Sequence, residues 1–263
     1  MVAKLIEIFS AIQGEGLIVG TRQIFIRFAL CDLRCQFCDS AHTWQVSPTC
    51  RVEITPGKRD FVTHKNPVSI ADLLSWVERQ NYPGVHDSIS LTGGEPLLQA
   101  PFLAKFLPQL RDVVALPVYL ETGGHRPQQL QQIISHLDLV GLDIKLPSVS
   151  GECWWREHAE CLQLCREANV QVFAKIIVSD RANPEELEKA SRLVADIDAE
   201  IPVFLQPATG LTDEQQKEYE ARKHYTSFAP PHPDRVLEWQ ALMKQYLKVV
   251  RVVPQTHKSI GQL

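Results

Sequence analysis

The sequence predicts an α/β fold, a partial, open (β/α)6-type barrel, and three observations carry that expectation. From residue 69 onward, short β-rich runs alternate with segments of helical periodicity, the pattern of βαβ units around a parallel sheet. The polar and glycine-rich motifs all fall just after the C-terminal ends of those runs, where α/β folds keep their sites. The 263 residues supply about six to seven such units, short of a full eight-fold barrel. Residues 1–263 are expected to form a single domain, with no internal repeat and no low-complexity stretch.

The elements follow in order. A first strand spans 5–11 and leads to the loop Gln13-Gly14-Glu15-Gly16. A second, over 23–29, is rich in Ile and Phe and runs straight into a cysteine loop. Residues 44–68 carry Pro, Thr, Gly and charge without periodicity, so they read as an inserted loop or small hairpin. Ser69 is a candidate N-cap, followed by Ile70, Leu73, Leu74 and Val77 at helical spacing. Strands at 86–91, 118–121, 139–145, 170–178, 202–206 and 248–253 then alternate with helices at 97–111, 127–136, near 154–168, at 184–198 and near 233–246. The helix at 184 is opened by Asn183-Pro184.

Composition bounds the function. Hydrophobic residues at 44% and charged residues at 22% allow a sizeable buried core. A formal net charge of −4 argues against a general nucleic-acid binder. No apolar run reaches the length of a bilayer span, and the N-terminus lacks a signal peptide's apolar core. A cytoplasmic, reducing setting is therefore expected. Seven unevenly placed cysteines make a poor disulfide framework. Cys161 and Cys165 sit at i, i+4 of a helix and read, with Cys153, as core thiols, whereas Cys50 lies in a polar loop.

The chemistry-bearing residues begin with Cys31-Asp-Leu-Arg-Cys35-Gln-Phe-Cys38, a C-x3-C-x2-C triplet. Three thiolates so close match a [4Fe-4S] cluster that leaves one iron without a protein ligand. Structural zinc instead wants four ligands, usually in two C-x2-C knuckles, and a distant His42 or Cys50 would have to complete it. Thr92-Gly93-Gly94-Glu95-Pro96 follows a strand; its glycines bare the backbone, and its acid suits an ammonium. In Leu142-Asp143-Ile144-Lys145-Leu146-Pro147, the strand period of two puts Asp143 and Lys145 on one side. Lys175 and residues 177–179 end the next strand, and Gln206-Pro207 the one after.

The cysteine triplet with Phe37 before its last member resembles the signature of the radical S-adenosylmethionine (SAM) enzymes, and Gly-Gly-Glu-Pro resembles their second element. The QGEG loop, Gly20, Arg27 and the ending Cys38-Asp39-Ser40 resemble the 7-carboxy-7-deazaguanine synthases of deazapurine (queuosine) biosynthesis, and the resemblance runs to the closing Pro254-Gln-Thr-His257-Lys. It implies a lyase that contracts 6-carboxy-5,6,7,8-tetrahydropterin to 7-carboxy-7-deazaguanine with loss of ammonia, using SAM as a regenerated cofactor, and Mg2+. It implies that Cys31, Cys35 and Cys38 hold the cluster. SAM would be bound by Phe37, Cys38, Asp39, Gly94, Glu95, Asp143, Ile144, Lys145, Lys175, Ile176, Ile177 and Val178. Ser40, where many relatives have Thr, would ligate Mg2+. The pterin would meet Ile12, Gln13, Gly14, Glu15, Arg27, Thr92 and His257, with Arg27 on its carboxylate. Reduced flavodoxin or ferredoxin is the implied electron donor, and a homodimer the implied assembly; nucleic acid and membrane are not expected partners. Two rivals are a glycyl-radical activating enzyme, which shares GGEP but not QGEG, and a zinc-stabilised binding module, which leaves GGEP and DIKLP unexplained.

Overall fold

The computed structural model describes residues 1–210 and 228–261. Its strands are β1 Val2–Ala3, β2 Leu5–Ile12, β3 Arg22–Phe28, β4 Thr49–Glu53, β5 Phe61–Lys65, β6 Val68–Ser69, β7 Ser88–Gly93, β8 Val118–Thr122, β9 Leu139–Asp143, β10 Gln171–Val178, β11 Val203–Pro207 and β12 Val250–Val252. Its helices are α1 Ile70–Gln80, α2 Ala100–Val113, α3 Pro127–Gln131, α4 Pro147–Ser150, α5 Trp155–Glu167, α6 Pro184–Asp198, α7 Pro233–Met243 and α8 Thr256–Ser259.

Ten strands form one sheet in the order β12-β11-β10-β9-β8-β7-β3-β2-β4-β5. Neighbours from β12 through to β3 are parallel. That run contains the expected barrel strands. β2 pairs antiparallel with β3, β4 parallel with β2, and β5 antiparallel with β4. Among the described residues no pairing joins β12 to β5, so the sheet stays open. The 44–68 stretch supplies the β4–β5 hairpin and widens the sheet beyond β2.

Local chemistry explains the element starts. Ser69 Oγ accepts from the Asp72 backbone N–H at 3.1 Å, and Asn183 Oδ1 accepts from Glu185 N at 3.0 Å, so both expected caps are made. The helix expected over 127–136 is shorter. It breaks after Gln131, because Ile133 leaves helical backbone (φ −126°) and buries its side chain completely. Cys161 and Cys165 are fully buried on α5, and burial pushes both thiols up. Cys153, just before that helix, is exposed and is no core thiol, and Cys50, expected in a polar loop, is buried on β4.

Strand alternation separates two apolar layers. On β9, Val140 and Leu142 join the large core beneath the helices. Leu139 turns to the concave side and meets Tyr119, Phe173 and Phe204. The Phe173 and Phe204 rings meet edge to face at 5.3 Å. Leu17 and Ile18, just past the QGEG loop, pack on this aromatic floor. The floor thus seats the loop, and above it the strand ends turn polar.

Candidate functional site

A cavity of about 420 Å³ opens over the strand C-termini, within the range of small-molecule sites. It is lined by Cys31, Cys35 and Cys38, by the QGEG loop, and by Arg27, Thr92, Asp143, Lys145 and Lys175. A shallower depression between α5 and α6, lined by Glu185, Lys189 and Arg192, gathers no comparable set of acids and thiols.

The cysteine loop is held by backbone contacts to its neighbours. Leu30, just before Cys31, adopts the left-handed φ of 79°. Its N–H donates to Thr43 O at 2.7 Å, and its carbonyl accepts from Glu95 N at 2.8 Å. The two glycines of the GGEP element make this approach feasible. A Cβ on Gly94 would stand 2.0 Å from Leu30 O, and one on Gly93 2.2 Å from Phe28 O. Burial pushes the Cys31 and Cys35 thiols up to about 12, and raises Cys38 as well. Without metal these are protonated thiols.

Charged groups on the cavity wall are paired. Lys175 donates to Glu15 and lies 3.7 Å from Asp143, while Lys145 meets Asp143 at 2.9 Å. Burial disfavours the Lys175 ammonium, yet Glu15 and Asp143 more than offset it and raise its pKa. Burial likewise opposes ionised Glu15, but Lys175 and Gln255 hold it below the usual carboxylate range. Asp39 is pulled down to about 2 against its burial, chiefly by Lys258. Arg27 uses Nε on Glu7 at 2.9 Å and lies over the Phe9 ring at 5.2 Å. Two buried oxygens, Asp143 Oδ1 and Gln206 Oε1, have no hydrogen-bond partner. Both residues line the cavity.

Most residues singled out from the sequence converge here. Ile12, Gln13, Gly14, Glu15, Arg27, Thr92 and His257 all line the cavity, as do Phe37, Cys38, Asp39, Ser40, Gly94, Asp143, Lys145, Lys175 and Ile177. Three expected SAM contacts do not bring their side chains to it. Ile144, Ile176 and Val178 are buried in the core beneath the helices, because strand alternation turns them away from Lys145, Lys175 and Ile177. Glu95 also lines the cavity, and it has partners within the protein. Its carboxylate accepts from Leu97 N, Thr122 Oγ1 and Gly123 N and is 1% exposed, so it braces two loops. Ser40 occupies an N-cap position, yet its side chain makes no capping bond. The capping explanation for Ser40 therefore fails, and its hydroxyl remains on the cavity wall.

Sequence reasoning missed Glu121, Gln255 and Lys258. Glu121 Oε1 accepts from Gln13 Nε2 at 2.7 Å, and its Oε2 accepts from Thr92 Oγ1 at 2.5 Å. The available signal was its place before Thr122-Gly123-Gly124, which echoes Thr92-Gly93-Gly94 on the adjacent strand. Gln255 Nε2 bridges Glu15 and Asp39, and no local motif marks it.

The model of the Radical SAM superfamily matches residues 25–194. The 7-carboxy-7-deazaguanine synthase of Geobacter sulfurreducens is 43% identical over 265 residues, covering 99% of this chain and 98% of that protein. The chain belongs to the 7-carboxy-7-deazaguanine synthase family. A second member, from Thermococcus kodakarensis, is 31% identical over 80% of this chain and 86% of its own. The crystal structure of QueE from Escherichia coli shares the fold, with a TM-score of 0.58 at 21% identity, over 98% of this chain and 95% of that one. Radical SAM enzymes use a [4Fe-4S] cluster and SAM, and the 7-carboxy-7-deazaguanine synthases also use Mg2+.

The residues present fit those groups. Three thiols on one wall give the donor set of a cluster with an open iron, and iron replaces the protons that burial retains. The unpartnered Asp143 Oδ1 suits a hydroxyl or ammonium donor of a bound cofactor. The Ser40 hydroxyl suits hard, partly hydrated Mg2+.

Proposed function

We propose that this chain contracts 6-carboxy-5,6,7,8-tetrahydropterin to 7-carboxy-7-deazaguanine with loss of ammonia. One observation carries the reading: the cysteine triplet and the set Gln13, Glu15, Arg27 and Thr92 line the same cavity. When bound, the cluster and SAM would supply the radical chemistry that the contraction needs. The protein's part is to bind, orient and exclude water.

Cys31, Cys35 and Cys38 line the cavity and would hold the cluster, and the Ser40 hydroxyl on the same wall would serve as a ligand for Mg2+. Phe37, Asp39, the backbone of Gly93-Gly94, Asp143, Lys145, Lys175 and Ile177 line the cavity and would surround SAM. Arg27, steadied through Nε by Glu7, directs the rest of its guanidinium to the pterin carboxylate. Glu121, oriented by Gln13 and Thr92, presents acceptor capacity to the aminopyrimidinone N–H edge, with the backbone of Ile12 and Gly14 beside it. His257 closes the cavity above Gly14. Glu15 is already taken by Lys175, Gln206 and Gln255, so it orders these groups.

The whole chain serves as one domain and works in the reducing cytoplasm as a homodimer, with flavodoxin or ferredoxin as reductant. No described helix is long and apolar enough to cross a membrane. The test is anaerobic reconstitution with iron and sulfide, then incubation with dithionite, SAM, Mg2+ and the carboxytetrahydropterin. Mass spectrometry should find the deazaguanine acid with SAM unconsumed. SAM cleavage without that product would retain the radical chemistry and overturn the substrate.

A further inference from the structure

The arc between Cys31 and Cys35 has neither helix nor strand of its own, so something else must fix its shape. Asp32, inside that arc, is gripped from the loop after β8. His125 Nε2 lies 3.0 Å from Asp32 Oδ1, and Arg126 Nη2 lies 2.7 Å from Oδ2. The two contacts span 93 and 94 residues of sequence. The His125 side chain is 2% exposed and fixed in orientation. Its ring packs against Trp154 at 5.4 Å, and its Nδ1 lies 3.9 Å from Glu95 Oε2.

A second brace starts from the same tryptophan. Trp154 Nε1 donates to Glu152 Oε2 at 3.1 Å, and Glu152 Oε1 accepts from the Arg34 backbone N–H at 2.7 Å. Arg34 Nη1 in turn donates to the carbonyl of Cys31 at 2.8 Å. The arc is thus tied on both sides of Leu33 to one block made of His125, Arg126, Glu152 and Trp154.

We propose that Asp32, held by His125 and Arg126, is a positioning residue that fixes the Cys31–Cys35 arc in the shape the cluster requires. The inference rests on the cluster assignment to Cys31, Cys35 and Cys38. An ion pair this open to solvent contributes little to folding, since Asp32 and Arg126 are 35% and 23% exposed. Its effect falls on local geometry, because it removes freedom from a segment with few internal bonds.

The experiment compares wild type, Asp32→Ala, Arg126→Ala and Arg126→Lys. After anaerobic reconstitution, iron per chain is counted and loss of cluster absorbance to a chelator is timed. Melting of the cluster-free proteins is followed in parallel. Arg126→Ala should melt like wild type, and Asp32→Ala somewhat lower, since it leaves buried His125 unpaired. Both should lose iron about tenfold faster, within what one charge-assisted hydrogen bond allows. Arg126→Lys should recover most of the difference, since a single Nη contact is replaced by one ammonium contact. The reduced, SAM-bound cluster of the alanine variants should also give an altered electron paramagnetic resonance line shape. Wild-type release rates in both alanine variants overturn the proposal. So does faster release in Arg126→Ala matched by an equal fall in its melting temperature, which is a general structural effect. A wild type that takes up no cluster sinks the cluster assignment instead.

Discussion

Lys258 donates a 2.7 Å hydrogen bond to Asp39, joining α8 to the residue that follows the third cysteine. The same Asp39 oxygen accepts from Gln255 Nε2 at 2.9 Å, and that amide also reaches Glu15 Oε1 at 2.8 Å. The Thr256 N–H donates to Gly14 O at 3.0 Å. Residues 255–258 therefore form a strap over the cavity mouth, fastened to the QGEG loop and to the cysteine motif.

Releasing the strap should affect binding more than folding. Both partners of the Lys258–Asp39 pair are 34% exposed, so the pair is worth about 0–1 kcal/mol of stability. Lys258→Ala should melt like wild type while KM for SAM rises several-fold in steady-state assays. An unchanged KM would show that the strap does not reach the binding step.

Gly14 has no space for a side chain. A Cβ there would stand 2.1 Å from His257 Nδ1 and 2.6 Å from His257 Cβ. Gly14→Ala should lift the strap at a cost of about 1–3 kcal/mol, the usual scale of overpacking. Limited proteolysis should then cut faster within 254–261. The double variant Gly14→Ala/His257→Gly should regain protection, and failure to do so would place the conflict elsewhere.

Arg27 should not tolerate lysine. Its Nε engages Glu7 while its ring-facing plane rests on Phe9, a division of labour that an ammonium cannot reproduce. Arg27→Lys should keep the fold, because Glu7 retains Arg51. The expected loss in kcat/KM is on the order of 100-fold, the scale of a bidentate carboxylate contact. Loss confined to kcat at unchanged KM would argue against a carboxylate-binding role.

Stability should fall with acidification between pH 6.5 and 4. Burial lowers both His86 and His158 from 6.5 to about 4, assisted by Arg22 in the first and opposed by the Gly124 carbonyl in the second. In that window the unfolded chain takes up protons that the folded chain refuses, so unfolding is favoured as pH drops. Their contribution is complete above 6.5 and lost by 4. Each such proton gives a slope of about 1.4 kcal/mol per pH unit. His158 bridges Gly124 O at 2.9 Å and Lys145 N at 3.1 Å, and is fully buried. Urea midpoints across this range should show a shallower slope for His158→Gln; an unaltered slope would remove His158 from the account.

Local periodicity carried most of the architecture. The caps at Ser69 and Asn183, the alternation after residue 69 and the core thiols Cys161 and Cys165 were all readable from neighbouring residues. What escaped was decided by parity or by distant partners. Ile144, Ile176 and Val178 belong to the right strand ends but to the wrong face. Glu95 lies on the cavity wall as expected, but its bonds to Thr122 and Gly123 from the next strand could not be read from its own neighbours. Gln255 and Lys258 acquire meaning only through Glu15 and Asp39, which no window of sequence contains together.

The strap also sets an order of events during synthesis. Asp39 and Gln255 are separated by 216 residues. At roughly 5–20 residues per second, translation leaves Asp39 and the cavity mouth without the strap for roughly 10–40 s. For that interval the cavity mouth is wider than in the finished chain, and the paired groups Glu15 and Asp39 await their C-terminal partners.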